Sequence, residues 1–176
     1  MIRRPPRSTL SSSSAASDVY KRQISAKVQV PFWPVPMTMQ TFVIFLIGMT
    51  YSVRLSFATV AFYLFQGAIG LPVFAAGGGV AYLVGPTAGY LYGMLFASVV
   101  ISYLANLGFS KTYFKATVSL LIGSAIIFSF GIIYLGYIIG FEKAVAAGLL
   151  PFIPSELFKI ALAVALIPTL HKIITK

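Results

Sequence analysis

The sequence predicts an all-α integral membrane protein: a six-transmembrane-helix bundle with a truncated first helix and an irregular Gly/Pro-rich outer loop between helices three and four. Three observations lead there. Of 176 residues, 59% are hydrophobic and only 9% charged, with a mean hydropathy of +0.93. A water-soluble domain of this size keeps too much surface to hide so much apolar side chain, whereas a bilayer takes apolar surface as readily as a core does. The apolar residues fall in blocks suited to membrane spans, and the basic residues fall singly between the blocks. The 15 Phe and 10 Tyr suit helices with interfacial aromatic belts.

Residues 1–23, MIRRPPRSTLSSSSAASDVYKRQ, stand apart from this pattern. They hold five basic residues, Asp18 and a serine run, with no apolar periodicity and no hydrophobic core of a signal peptide after the arginines. The string resembles translated sequencing-adapter read-through, so residues 1–23 are expected to be a non-native or disordered leader that packs against nothing. Residues 24–176 are then expected to form a single six-helix transmembrane domain. They carry eight basic and two acidic residues, a net charge of +6.

Helix one is a stub, residues 24–30, stopped by Pro31, Pro34 and Pro36. Residues 38–51 form a second segment, short for a span, and residues 56–69 a third. Residues 70–79, GLPVFAAGGG, are apolar but too rich in Gly and Pro for a regular helix. Irregular backbone at membrane depth is tolerated where it lines a cavity or is buried in protein. Helices four, five and six are expected over 80–107, 116–139 and 152–174.

Loop charges orient the bundle. With six spans, Arg54, Lys111, Lys115, Lys172 and Lys176 all fall on one side, and the opposite loops carry only Lys143, next to Glu142. The positive-inside rule then makes both termini cytoplasmic, with loops 31–37, 70–79 and 140–150 facing outward across a plasma membrane. The formal charge of +10 is dispersed rather than gathered on one face, so no nucleic-acid partner is expected. The absence of Cys excludes disulfides and thiolate chemistry, and a single His nearly excludes a His-based zinc site. With no HExxH, no paired intramembrane carboxylates, no G-x-S-x-G and no phosphate loop, neither catalysis nor ATP hydrolysis is expected on this chain. No metal or cofactor is expected either.

The strongest chemical signal is SELFK. Glu156 and Lys159 share a helical face at i,i+3 spacing near the outer end of helix six. A charge at the centre of a span costs about 2.5–3.5 kcal/mol on insertion scales, so such residues usually face a cavity and serve a function. The alternative is a stabilising pair in which Lys159 snorkels outward and Glu156 serves the helix start marked by Pro151 and Pro154. A stripe of small residues, Gly85, Gly89, Gly93 and Ala97, points to close helix packing, and Ala161 and Ala165 read the same way. Gln40 heads segment two. Asn106 lies near the inner end of helix four, and Tyr82, Tyr90 and Tyr92 around its outer half, where interfacial anchoring is the usual role.

Three runs taken together, PFWPVPMTMQTFVIFLIGM, GAIGLPVFAAGGGVAYLVGPTAGYLYG and LLPFIPSELFKIALA, resemble the BioY family in content, order and spacing, over about residues 24–174. The resemblance implies the biotin-binding S component of an energy-coupling factor (ECF) transporter. It would have six helices with both termini inside and capture biotin outside for import, driven by a transmembrane T component and two cytoplasmic ATPases. It implies a ligand role for Glu156, where the family usually carries Asp, and for Lys159, which is retained. GPTGGYL appears here as GPTAGYL, with Ala88 in place of Gly. The family's docking motif for the T component lies on helix one, here only a stub. A biotin site is then expected to use Glu156 and Lys159 as polar contacts. Gly77, Gly78 and Gly79 would offer close backbone approach, and Leu71, Val73 and Phe74 apolar cover, with Tyr90 and Gln40 alongside. Other readings are an S component for another small vitamin and a structural membrane protein with no ligand.

Overall fold

The structure is a computed structural model. It describes residues 21, 29–30, 37–75 and 77–174, and side-chain environments from residue 38 to residue 166. The expected leader therefore lies outside the described residues except for Lys21, as does most of the helix-one stub.

The described chain is mostly helical. Lys21 is helical, and a two-residue ladder follows, β1 (Gln29–Val30) antiparallel to β2 (Met37–Thr38), pairing Gln29 with Thr38 and Val30 with Met37. Positions 29 and 30, expected as the end of a helix, are thus extended; the prolines that follow cannot continue a helical ladder. Then come α1 (Gln40–Thr50), α2 (Val53–Ala68), α3 (Val80–Leu83), α4 (Ala88–Asn106), α5 (Tyr113–Ile139), α6 (Phe141–Gly148) and α7 (Ile153–Ile174). Short 3₁₀ turns occupy Phe109–Lys111 and Leu150–Phe152.

Among the described residues three stretches are long and apolar enough to cross a membrane: Ala88–Asn106, Tyr113–Ile139 and Phe141–Leu166. Large apolar side chains such as Phe62, Phe65, Phe96, Phe114, Ile133 and Tyr137 are exposed on these and neighbouring helices, as lipid-facing surface requires. The shorter α1 runs through the middle of the bundle. Its Ile44, Phe45, Ile47 and Met49 are buried, and it packs on both α4 and α7.

Two expected elements differ. Helix four is broken into α3 and α4 by residues 84–87, because Pro86 has no N–H and its ring blocks the preceding turn. The loop at 140–150 contains a helix, α6, that turns away from α5 at Gly140, whose φ of +91° suits glycine. Its first turn carries Glu142, and Ala144 and Gly148 are buried.

The most extensive helix contact is α4 with α5, and the small-residue stripe makes it. A Cβ on Gly89 would stand 2.5 Å from the Phe130 carbonyl oxygen and 2.5 Å from Tyr134 Cβ; one on Gly93 would stand 2.9 Å from Ile127 Cα. Ala97 is fully buried. Gly85 falls in the turn before α4 and does not join the stripe. Ala161 and Ala165 do not pack as expected: both are exposed, and α7 buries Glu156, Lys159, Ile160 and Ala163 instead. The buried face of α7 was set by its polar pair, which has to be covered, and small size alone did not select it. Asn106 is exposed at the end of α4.

Gly89→Ala is expected to lower stability by about 1–3 kcal/mol, because the new methyl meets backbone that cannot move aside. Gly85→Ala, whose Cβ would meet nothing nearer than 3.4 Å, should stay within about 0.5 kcal/mol of the parent. Thermal unfolding of both variants in one detergent compares them directly.

Candidate functional site

Helix α7 starts with Pro154 in its first turn, where a missing N–H is harmless, and this fixes Glu156 and Lys159 on the first two turns. Both side chains are 5% exposed. Lys159 Nζ lies 3.2 Å from Glu156 Oε2. A buried ion pair is stable only where its remaining valences are also met. Here α1 and α5 meet them. Thr41 Oγ donates to Glu156 Oε2 at 3.0 Å and accepts from Lys159 Nζ at 3.0 Å, while Ser124 Oγ donates to Glu156 Oε1 at 2.9 Å. Three helices are joined at this one pair.

The pair forms part of the wall of a cavity of about 510 Å³, counted out to its open mouth. Thr38, Gln40 and Thr41 line it from β2 and α1, and Ala75 and Tyr82 from the Gly-rich segment and α3. Thr87, Tyr90, Leu91 and Met94 line it from the start of α4, Ile127 and Phe128 from α5, and Phe152 from the turn before α7. Mostly apolar walls with a few convergent polar groups are what small-molecule sites look like.

The structure thus brings Gln40, Tyr90, Glu156 and Lys159 to one cavity. Gln40 donates from Nε2 to the Tyr63 hydroxyl at 2.7 Å, and Tyr63 donates to the Val73 carbonyl at 3.0 Å. Tyr90 donates to the Gly148 carbonyl at 2.8 Å, which ties α6 against α4 beside the cavity. Tyr92, by contrast, is partly exposed and donates to the Leu83 carbonyl.

Phe74 and Gly77, Gly78 and Gly79 are not among the lining residues. Phe74 is fully buried one layer back, its ring stacked on Tyr82 at 4.9 Å and set against Gly67, where no side chain would fit. Gly77 and Gly79 have φ of +138° and +105°. Gly77 N donates to Phe74 O and Gly79 N to Gly67 O, so those two amides are spent inside the segment. Val73 is buried and Leu71 exposed, and neither lines the cavity. Thr41 and Ser124 carry the charged pair yet went unnoticed in the sequence. Each is a short hydroxyl in an apolar run, and only their distance to Glu156 distinguishes them from helix-packing residues.

The model of the BioY family matches residues 20–176. The chain belongs to the BioY family. It is 39% identical over 137 residues to the "Probable biotin transporter BioY" of Rickettsia prowazekii, covering 77% of this chain and 70% of that one. It is 36% identical over 152 residues to the "Biotin transporter BioY" of Thermotoga maritima, covering 85% of this chain and 89% of that one. The fold is that of a solved structure, the crystal structure of the S-component for biotin from an ECF-type ABC transporter. The two agree with a TM-score of 0.85 over 97% of this chain and 95% of that chain, at 24% identity. The relatives' names are those of transporters, in line with the expectation of a transport subunit rather than an enzyme.

Ser124→Ala removes a hydrogen bond to a buried charged group and is expected to lower stability by about 1.5–3 kcal/mol. Ser98→Ala, equally buried but bonded only to the Leu95 carbonyl of its own helix, should cost less than about 1 kcal/mol. Unfolding midpoints in detergent rank the two.

Proposed function

We propose that this BioY-family chain is the biotin-binding membrane subunit, or S component, of an energy-coupling factor transporter. Biotin enters the cavity from outside, and import is driven by a transmembrane T component and two cytoplasmic ATPases. The observation that carries the reading is the buried Glu156–Lys159 pair in the cavity wall. A carboxylate has about four lone-pair sites and an ammonium three N–H donors. Ser124, Thr41 and Lys159 occupy three sites on Glu156, and Thr41 and Glu156 take two donors of Lys159. One acceptor site on Oε1 and one donor of Lys159 are left. The ureido ring of biotin offers an N–H next to a C=O, the complementary arrangement. A valerate carboxylate there would face Glu156 with like charge, so the ureido end goes to the pair and the valerate to the open mouth. Tyr82, Tyr90, Leu91, Met94, Phe128 and Phe152 cover the bicyclic ring. The names of the relatives support biotin over another vitamin.

Orientation follows from where the charges sit. The cavity lies at the end where α1, α4 and α7 begin, whereas Arg54, Lys111 and Lys115 lie at the other end, after α1 and between α4 and α5. The positive-inside rule puts that second end in the cytoplasm, with both termini. In this reading residues 24–176 are a six-helix domain in the plasma membrane and 1–23 a leader outside it, of which the family match takes in the last four residues. Phe74 serves as the support behind Tyr82, and Gly77, Gly78 and Gly79 shape the outer segment next to the site.

Lys159→Ala should weaken biotin binding at least tenfold, about 1.4 kcal/mol, by calorimetry on purified protein. Glu156→Gln, which replaces an acceptor by an amide that can turn a donor toward the ureido N–H, should weaken biotin more than Glu156→Asp. If Gln lowers the unfolding midpoint while the folded protein keeps its full biotin affinity, the pair is a structural device and the ligand role is lost.

A further inference from the structure

The biotin reading leaves one ureido N–H without an acceptor, and Gln40 bears on it. A glutamine amide has an acceptor end and a donor end of nearly equal shape, and which end faces a ligand decides what the site takes. Tyr63 has a single hydroxyl proton. It lies 3.0 Å from the Val73 carbonyl, which can only accept, so the proton goes there. The Tyr63 oxygen can then only accept from Gln40, 2.7 Å away. That turns the Gln40 NH₂ toward Tyr63 and its Oε1 the other way. Gln40 lines the cavity, is 4% exposed, and its Oε1 carries no hydrogen bond and is not sealed off among the described residues. Tyr63 itself is fully buried behind the wall, edge-on to Phe74 at 5.5 Å, and cannot touch a ligand.

We propose that Tyr63 is a positioning residue that fixes Gln40 as a hydrogen-bond acceptor, so that the site selects a ligand with a second N–H donor beside the one met by Glu156. The inference rests on the biotin reading and adds to it the source of selectivity for an intact ureido group. It also couples the outer segment to the site, since Val73 in that segment sets the direction of the Tyr63 proton.

The test uses biotin and its two mono-N-methyl ureido isomers, each lacking one N–H, with dissociation constants measured on the full chain in detergent. The wild type should bind biotin at least tenfold tighter than either isomer. Tyr63→Phe keeps the ring but frees the Gln40 amide to rotate. It should cut the preference for biotin over one isomer at least threefold and leave the preference over the other unchanged, an asymmetry that a general loss of stability does not produce. Gln40→Leu, which removes the amide and leaves Tyr63 in place, should reduce the same ratio. Wild-type ratios for both isomers in either folded variant would overturn the proposal. If the wild type binds no biotin, the functional reading itself fails and this inference with it.

Discussion

A charged pair in a lipid-embedded bundle has to be satisfied entirely by protein, and the arrangement of this molecule follows from that need. Glu156 and Lys159 sit where water is scarce, with side chains only 5% exposed. Separating or uncovering them is expensive in a low-dielectric setting. Thr41 from α1 and Ser124 from α5 close the remaining valences, so the pair fixes the mutual positions of three helices. Among the described residues one donor and one acceptor of the pair stay unmet, and the proposed function assigns them to biotin.

Around this point the helices are interrupted. Glycine-rich backbone separates α2 from α3, Pro86 breaks the helix between α3 and α4, and Pro151 lies in the turn before α7 and Pro154 in its first turn. In a bilayer, irregular backbone survives only against protein or a cavity, and here all three interruptions gather at the cavity end. The other half of the bundle is regular and tightly packed. Gly48 and Gly123 both lie against Ile101, and the Ser102 hydroxyl holds the Tyr51 carbonyl. A regular half thus supports a half whose interrupted backbone opens onto the cavity.

The aromatic residues divide by depth in a way their chemistry explains. Tyr63 and Tyr90 are buried and donate their hydroxyl protons to the carbonyls of Val73 and Gly148. Tyr92 and Tyr134 bond the carbonyls of Leu83 and Val84 at the broken turn, near the surface. Both sets brace irregular segments. The buried set also determines which atoms the cavity presents.

Much of this was legible in the sequence. The apolar blocks, the sparse charge and the i,i+3 spacing of Glu156 and Lys159 are one-dimensional properties, and they suffice for helical membrane architecture and for one polar contact point. The small-residue stripe foretold close packing along α4, which Gly89, Gly93 and Ala97 make and Gly85 does not, but not that the partner is α5. Three things were beyond it. The exposure of Ala161 and Ala165 depends on which face of α7 the ion pair turns inward. The roles of Thr41 and Ser124 rest on contacts to Glu156 across 115 and 32 positions of chain. The place of Phe74, behind the wall rather than in it, depends on how its ring packs on Gly67 and Tyr82. The sequence by itself determined what must be buried and where charge stands, since those follow from side-chain chemistry and spacing. Only the tertiary structure decided which hydroxyl meets which carboxylate oxygen and which end of Gln40 faces the cavity, because a hydrogen bond is set by distance and direction, and neither is a property of a single position.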